Sequence, residues 1–196
     1  VAYTYPERLL LEFAEEHQIT EVGNYTLDAI TSSNSGFVLQ SGNESEMFTF
    51  ENRQKVKWDE YLPGHGMLAF RVDFSDENVW QQNTVNANPA HNYYELLRAG
   101  NGTGATARAS DPFPGTSNKT TLNNITTPNL KTWAGLECPY GLKNIKEQDG
   151  VITFDVESVL EVNSITLPAS ITVGAGMTYQ LEPVIEPESA PYTLTW

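Results

Sequence analysis

Apolar and polar residues alternate with a period of two along much of this chain, which is the spacing of half-buried strands rather than of helices. Met47-Phe48-Thr49-Phe50-Glu51-Asn52-Arg53 and Gly150-Val151-Ile152-Thr153-Phe154-Asp155-Val156 both read this way. Gly36-Phe37-Val38-Leu39-Gln40 is a shorter strand bounded by Ser, Asn and Gly. Gly66 to Phe74 is almost continuously apolar, as a strand covered on both faces would be. Ile19 to Ile30 divides into two alternating halves around Gly23-Asn24, and this predicts a hairpin, because Gly and Asn tolerate the positive φ of tight turns. Tyr5 to His17 has clustered apolar positions behind Pro6 and reads either as a helix or as a strand-and-turn entry.

A long polar region from Ser75 to about Leu130 interrupts the strands and contains one ordered-looking piece, Tyr93-Tyr94-Glu95-Leu96-Leu97-Arg98. Loops of such length in a compact domain are usually functional or held by something. The punctuation changes at Ser164, where short strands alternate with Gly- and Pro-marked turns as in a β-sandwich. The expected fold class is therefore mainly β. An antiparallel, sandwich-like unit with long polar loops spans 1–156, a linker spans 157–163, and an incomplete immunoglobulin-like β-sandwich spans 164–196.

Composition narrows the function. The 196 residues carry 25 acidic and 11 basic side chains, a formal charge of −14. Phosphate backbones and anionic membrane surfaces call for the opposite sign, so nucleic acid is not an expected partner. No apolar run approaches the ~20 residues of a membrane span, so insertion is not expected either. With one cysteine, Cys138, no intrachain disulfide can form. The first residues show no secretory leader, and the chain is expected to be a piece of a longer protein.

The residues that catalysis would need are dispersed. His17, His65 and His91 lie far apart, no His-Glu-x-x-His run occurs, and Cys138 has no cysteine partner for a metal or redox motif. Glu51, Asp59 and Glu60 lie close enough to imitate a carboxylate pair, but a hydrogen-bonded turn explains them more simply, and Arg53 has Glu51 or Asp59 as a partner. One cation signal remains. Asp73, Asp76, Glu77 and Asn78 crowd one end of the polar region and Asp111 stands at the other. Calcium takes six to eight such oxygens, so Asp73, Asp76 and Asp111 are the candidate calcium ligands.

Two longer phrases are more specific. Phe48 to Asp73 contains Glu51-Asn52-Arg53-Gln54, Trp58-Asp59, Leu62-Pro63-Gly64-His65-Gly66 and a terminal Val72-Asp73. Asp111-Pro112-Phe113-Pro114-Gly115-Thr116-Ser117-Asn118 follows, with Thr127-Pro128 and Trp133 after it. Over roughly residues 9–156 these phrases resemble the region that follows the catalytic zinc motif in bacterial metallopeptidases of the immune inhibitor A type (peptidase M6). One departure is that the apolar strand ends Phe70-Arg71-Val72-Asp73, where the family pattern has Trp-His-Val-Asp. The tail from Val162 resembles a bacterial immunoglobulin-like domain of group 2. The resemblance implies a non-catalytic accessory region of a secreted or cell-surface zinc peptidase. Zinc and the catalytic residues would lie in a separate domain, and the partners would be that peptidase domain and further immunoglobulin-like modules. The rival reading is a cell-surface adhesin or carbohydrate-binding β-module, with Trp80, Tyr93 and Tyr94 as rings on which a sugar would stack.

Overall fold

A computed structural model describes residues 2–104, 106–159, 164–180 and 184–186. The chain is mainly β. Helix α1 (Tyr5–Leu10) precedes β1 (Gly23–Leu27), the short α2 (Ile30–Ser33), β2 (Phe37–Gln40) and β3 (Glu46–Arg53). A turn of 3-10 helix (Lys57–Asp59) leads to β4 (Gly66–Asp73), α3 (Glu77–Gln81) and β5 (Tyr94–Leu97). Strands β6 (Tyr140–Gln148) and β7 (Val151–Ser158) follow, then β8 (Ser164–Thr166) and β9 (Val184–Glu186).

The strands form a four-stranded antiparallel sheet in the order β2-β3-β4-β5 and a three-stranded one in the order β1-β7-β6. Their inner faces share one core. Leu39, Phe48, Phe50 and Ala69 from the larger sheet meet Leu27, Ile152 and Phe154 from the smaller one. The rings of Phe50 and Phe154 lie 6.4 Å apart across the layer. A smaller cluster of Tyr5, Ile30 and Val38 covers the outer face of the larger sheet, with Leu9 of α1 packed on it. This two-sided cover is why β4 reads as continuously apolar and why its residues are buried along the length.

Two expectations change. Residues 19–30 do not form a hairpin. Gly23–Leu27 runs as one strand against β7, from Gly23 opposite Val156 to Leu27 opposite Ile152. Helix α1 is much shorter than Tyr5–His17: Thr4 and Glu7 cap each other reciprocally at its start, and Glu12 turns left-handed (φ 58°) just past its end. The linker (157–163) lies partly in β7, which ends at Ser158, and residues 160–163 lie outside those described. Of 164–196, where an incomplete immunoglobulin-like sandwich is expected, residues 164–180 and 184–186 are described, and they contain the antiparallel β8–β9 pair.

Apolar anchors fasten the long polar region to the sandwich. Phe113 is fully buried and exchanges both backbone hydrogen bonds with Met67 on β4 (2.7 and 2.8 Å). Leu122 does the same with Leu142 on β6 (2.8 Å each way). These contacts also explain the glycines of Leu62-Pro63-Gly64-His65-Gly66. A Cβ at Gly66, whose φ is +127°, would meet the Phe113 carbonyl oxygen at 2.6 Å, and one at Gly64 would meet the Ala109 carbonyl at 2.8 Å. The two most specific phrases of the sequence are therefore packed directly on each other.

Candidate functional site

Glu51, Asn52 and Arg53 end β3, with Gln54 next in the chain, and strand periodicity sends successive side chains to opposite faces. On the inner side Asn52 Nδ2 donates to the carbonyls of Leu27 and Gly150 (2.8 Å each), and Gln54 Nε2 donates to Glu147 (2.9 Å). These bonds tie the two sheets together. On the outer side Arg53 is flanked by two carboxylates, with Nε to Glu51 at 2.6 Å and Nη1 to Asp59 at 2.8 Å, and all three side chains are removed from solvent.

The remaining donors and acceptors of this triad clamp the N-terminal segment. Arg53 donates to the carbonyls of Ala2 and Tyr3 (3.0 Å each). The Ala2 N–H donates to Asp59 (2.9 Å), and the Tyr5 N–H donates to Glu51. Burial pushes the Glu51 carboxyl above the usual carboxylate range, and Arg53 and the Tyr5 N–H pull it partly back. For Arg53 burial works against the charge, and its two carboxylate partners more than reverse it. The carboxylates that resemble a catalytic pair are thus consumed in holding a guanidinium and a backbone.

Beside this clamp the chain leaves large apolar side chains in solvent. Trp58, next to the buried Asp59, is 77% exposed, and Tyr61 is 90% exposed. Tyr3, Phe13 and Trp58 surround an open cavity of about 330 Å³ with Arg8 and Asn34. The polar pair is already organised, because Arg8 donates to Asn34 Oδ1 and to the carbonyls of Tyr3 (3.0 Å) and Ile30 (3.2 Å). Trp58 belongs to the Trp58-Asp59 phrase, so the same dipeptide sends one side chain into the clamp and presents the other to solvent.

The candidate calcium ligands do not gather into one set. Asp73 ends β4, where its Oδ1 accepts the Ser75 N–H (2.7 Å) and its Oδ2 faces His91 Nε2 (2.7 Å). Burial alone would raise the Asp73 carboxyl, but the hydrogen bonds from Ser75 and the pairing with His91 outweigh it and hold the group below its ordinary value. Asp76 caps α3 through the Asn78 N–H (3.0 Å). Asp111 lies at the other end of β4, its carbonyl on the Ala99 N–H and its Oδ2 accepting from the Arg108 N–H (2.8 Å) and Arg98 (3.2 Å). Phe113, two residues on, pairs with Met67, and at ~3.3 Å per strand residue Met67 is about 20 Å from Asp73. Asp111 Oδ1 is buried without a hydrogen-bond partner among the described residues. Among those residues no group of three or more His, Cys, Asp or Glu is arranged to hold a metal ion.

A layered stack that sequence reasoning missed surrounds Asp73. His91 lies between the rings of Tyr93 (4.4 Å) and Trp133 (4.7 Å). Arg71 lies over the Trp133 ring at 4.0 Å and pairs with Glu95. The backbone N–H of Trp133 donates to the buried Glu46 (2.9 Å), and its indole N–H donates to the Asn92 carbonyl (3.1 Å). Arg71 of the Phe70-Arg71-Val72-Asp73 run therefore places a guanidinium on Trp133. His91 thus links Asp73 to Trp133. His91 is 33% exposed.

The rings suggested for sugar stacking are engaged internally. Trp80 stacks on Phe74 and donates to the Asp73 carbonyl (2.7 Å), Tyr93 stacks on His91, and Tyr94 stacks on Phe70. Cys138 is buried, and burial pushes its thiol up to about 12. No family model, curated protein or solved structure matches this chain.

Proposed function

We propose that the chain is a non-catalytic accessory module of a secreted zinc-dependent peptidase. In this reading the zinc and the catalytic residues belong to a separate peptidase unit, and the sandwich supports that unit by docking against it. The observation that carries the docking role is the exposed aromatic face of Tyr3, Phe13 and Trp58 beside the Glu51–Arg53–Asp59 clamp. Contiguous exposed aromatics mark interaction surfaces, where Trp and Tyr are the residues that contribute most when a partner buries them. The clamp fixes Ala2–Tyr5 against β3, so this face is held rigidly and loses little freedom when a partner docks.

The resemblance of the Phe48–Asp73 and Asp111–Asn118 phrases to the M6 pattern supports a zinc-peptidase domain as the partner. The test is Trp58→Ala in the full-length protein. Chelator-sensitive casein hydrolysis should fall several-fold while the melting midpoint of the isolated module stays the same. Unchanged hydrolysis would overturn the docking role. Binding of the isolated chain to immobilised glycans through Tyr3, Phe13 and Trp58 would favour the carbohydrate-binding alternative.

A further inference from the structure

The outer edge of β5 is open along its middle. The ladder shows which backbone groups face it. The Asp73 N–H donates to the Tyr93 carbonyl across the β4–β5 side (2.9 Å), and the next residue, Phe74, turns its N–H to Ser45 on the β3 side (2.8 Å). With Arg71 opposite Glu95 and Ala69 opposite Leu97, those pairs exchange the β4–β5 bonds. Tyr94 and Leu96 then point their N–H and C=O groups away from β4. Beyond them the Arg98 carbonyl is capped by the Asn101 N–H (3.0 Å). The outward groups of Tyr94 and Leu96 have no hydrogen-bond partner among the described residues. Two other edges are covered: His17 and Ile19 bond to Val38 along β2, and Leu122 bonds to Leu142 along β6.

This edge lies in a cavity of about 700 Å³. Phe70, Tyr94 and Leu96 share one face of the sheet by register and give it an apolar floor. Asn92 lines it near the start of β5, and Arg98 and Gly102 line it near the end. The strand Tyr94-Glu95-Leu96-Leu97 carries neither Lys nor Pro, the residues that usually blunt an exposed edge. Glu95 is paired with Arg71 and Arg98 with Asp111, so the walls offer no unpaired charge.

We propose that the β5 edge binds an extended, uncharged polypeptide segment as a fifth strand of the larger sheet. Two N–H and two C=O groups at alternate residues fit the backbone of a strand, and the apolar floor receives every second side chain of the incoming segment. A second copy of this chain is a poorer occupant, because two molecules of charge −14 repel each other. The inference is independent of the docking role, since the isolated chain is expected to bind the segment.

The test uses residue-resolved amide exchange by NMR. The probe is a blocked, fluorescein-labelled pentapeptide alternating threonine and valine, with a copy N-methylated at alternate residues as control. The expected result is at least tenfold slower exchange at Tyr94 and Leu96 with saturating probe, while Glu95 and Leu97 stay as they were. The N-methylated copy should have no effect. Leu96→Pro deletes an outward donor without removing a β4–β5 bond and should weaken binding at least tenfold by fluorescence anisotropy. Exchange at Tyr94 and Leu96 that the probe leaves unchanged would overturn the proposal, and this reading of the wild type holds whether or not the proline variant folds. Protection that rises with protein concentration alone, together with a sedimenting dimer, would also overturn it by making a second copy the occupant.

Discussion

Replacing Arg53 by Met removes the one cation between Glu51 and Asp59, two carboxylates that solvent does not reach. Four hydrogen bonds go with it, two to those carboxylates and two to the carbonyls of Ala2 and Tyr3. Breaking a buried ion pair from one side costs about 3–5 kcal/mol, because the surviving charge is left without compensation. At ~2–4 °C per kcal/mol for a chain of this size, the melting midpoint should fall by roughly 6–20 °C at neutral pH. The pH dependence has a definite sign. Burial already raises the Glu51 carboxyl, and losing Arg53 takes away part of what restrained it. A carboxyl whose folded-state value is raised adds stability below its unfolded value, and that stability is lost as pH rises through the folded value. The deficit of Arg53→Met should therefore shrink as pH is lowered from about 7 toward about 5, the window above the ordinary carboxylate value. Scanning calorimetry of both proteins across that range measures it. A midpoint within a degree of wild type, or a deficit that does not change with pH, would refute the buried-triad reasoning.

Asp73→Asn should cost about 1–3 kcal/mol at neutral pH by weakening the bonds to Ser75 and His91. Because the folded Asp73 carboxyl lies below 3.8, its contribution is present above that value and lost as pH falls through the lower one, so the variant should lose less stability than wild type during acid titration below about pH 4. Steeper acid loss in the variant would contradict this. Cys138 should resist a thiol reagent in native buffer and react once per chain in denaturant, since its thiol is buried and pushed up to about 12. Rapid native labelling would show that the Cys138 region opens. Calcium, if it binds, should not depend jointly on Asp73 and Asp111: a calcium-dependent midpoint abolished equally by Asp73→Ala and by Asp111→Ala would contradict the ~20 Å separation along β4.

What the sequence revealed follows the range of the interactions involved. Strands β3, β4 and β7 were legible because burial imposes period two or a continuous apolar run on local sequence. The pairing of Gly23–Leu27 was not, because its partner Ile152–Val156 is far along the chain and the local Gly-Asn turn signal pointed elsewhere. Strand β6 was missed because Lys143, Asn144 and Lys146 break its alternation around a register shift. The pairing of Arg53 was half visible. Its two carboxylates could be named from proximity, but the backbone carbonyls that complete the set come from Ala2 and Tyr3 and leave no mark on sequence. Asp73 and Asp111 looked like ligands for one ion because both border the same polar region. Yet Phe113, the apolar anchor that fastens this region, holds Asp111 at the opposite end of β4 from Asp73.

The central claim is that this sandwich assists a zinc peptidase without performing the chemistry. It is tested most directly by measuring casein hydrolysis with zinc and with chelator, for the isolated chain and for the full-length protein side by side. The account predicts chelator-sensitive cleavage by the full-length protein and none above blank by the isolated chain. Zinc-dependent cleavage by the isolated chain, or its absence from the full-length protein, would contradict it.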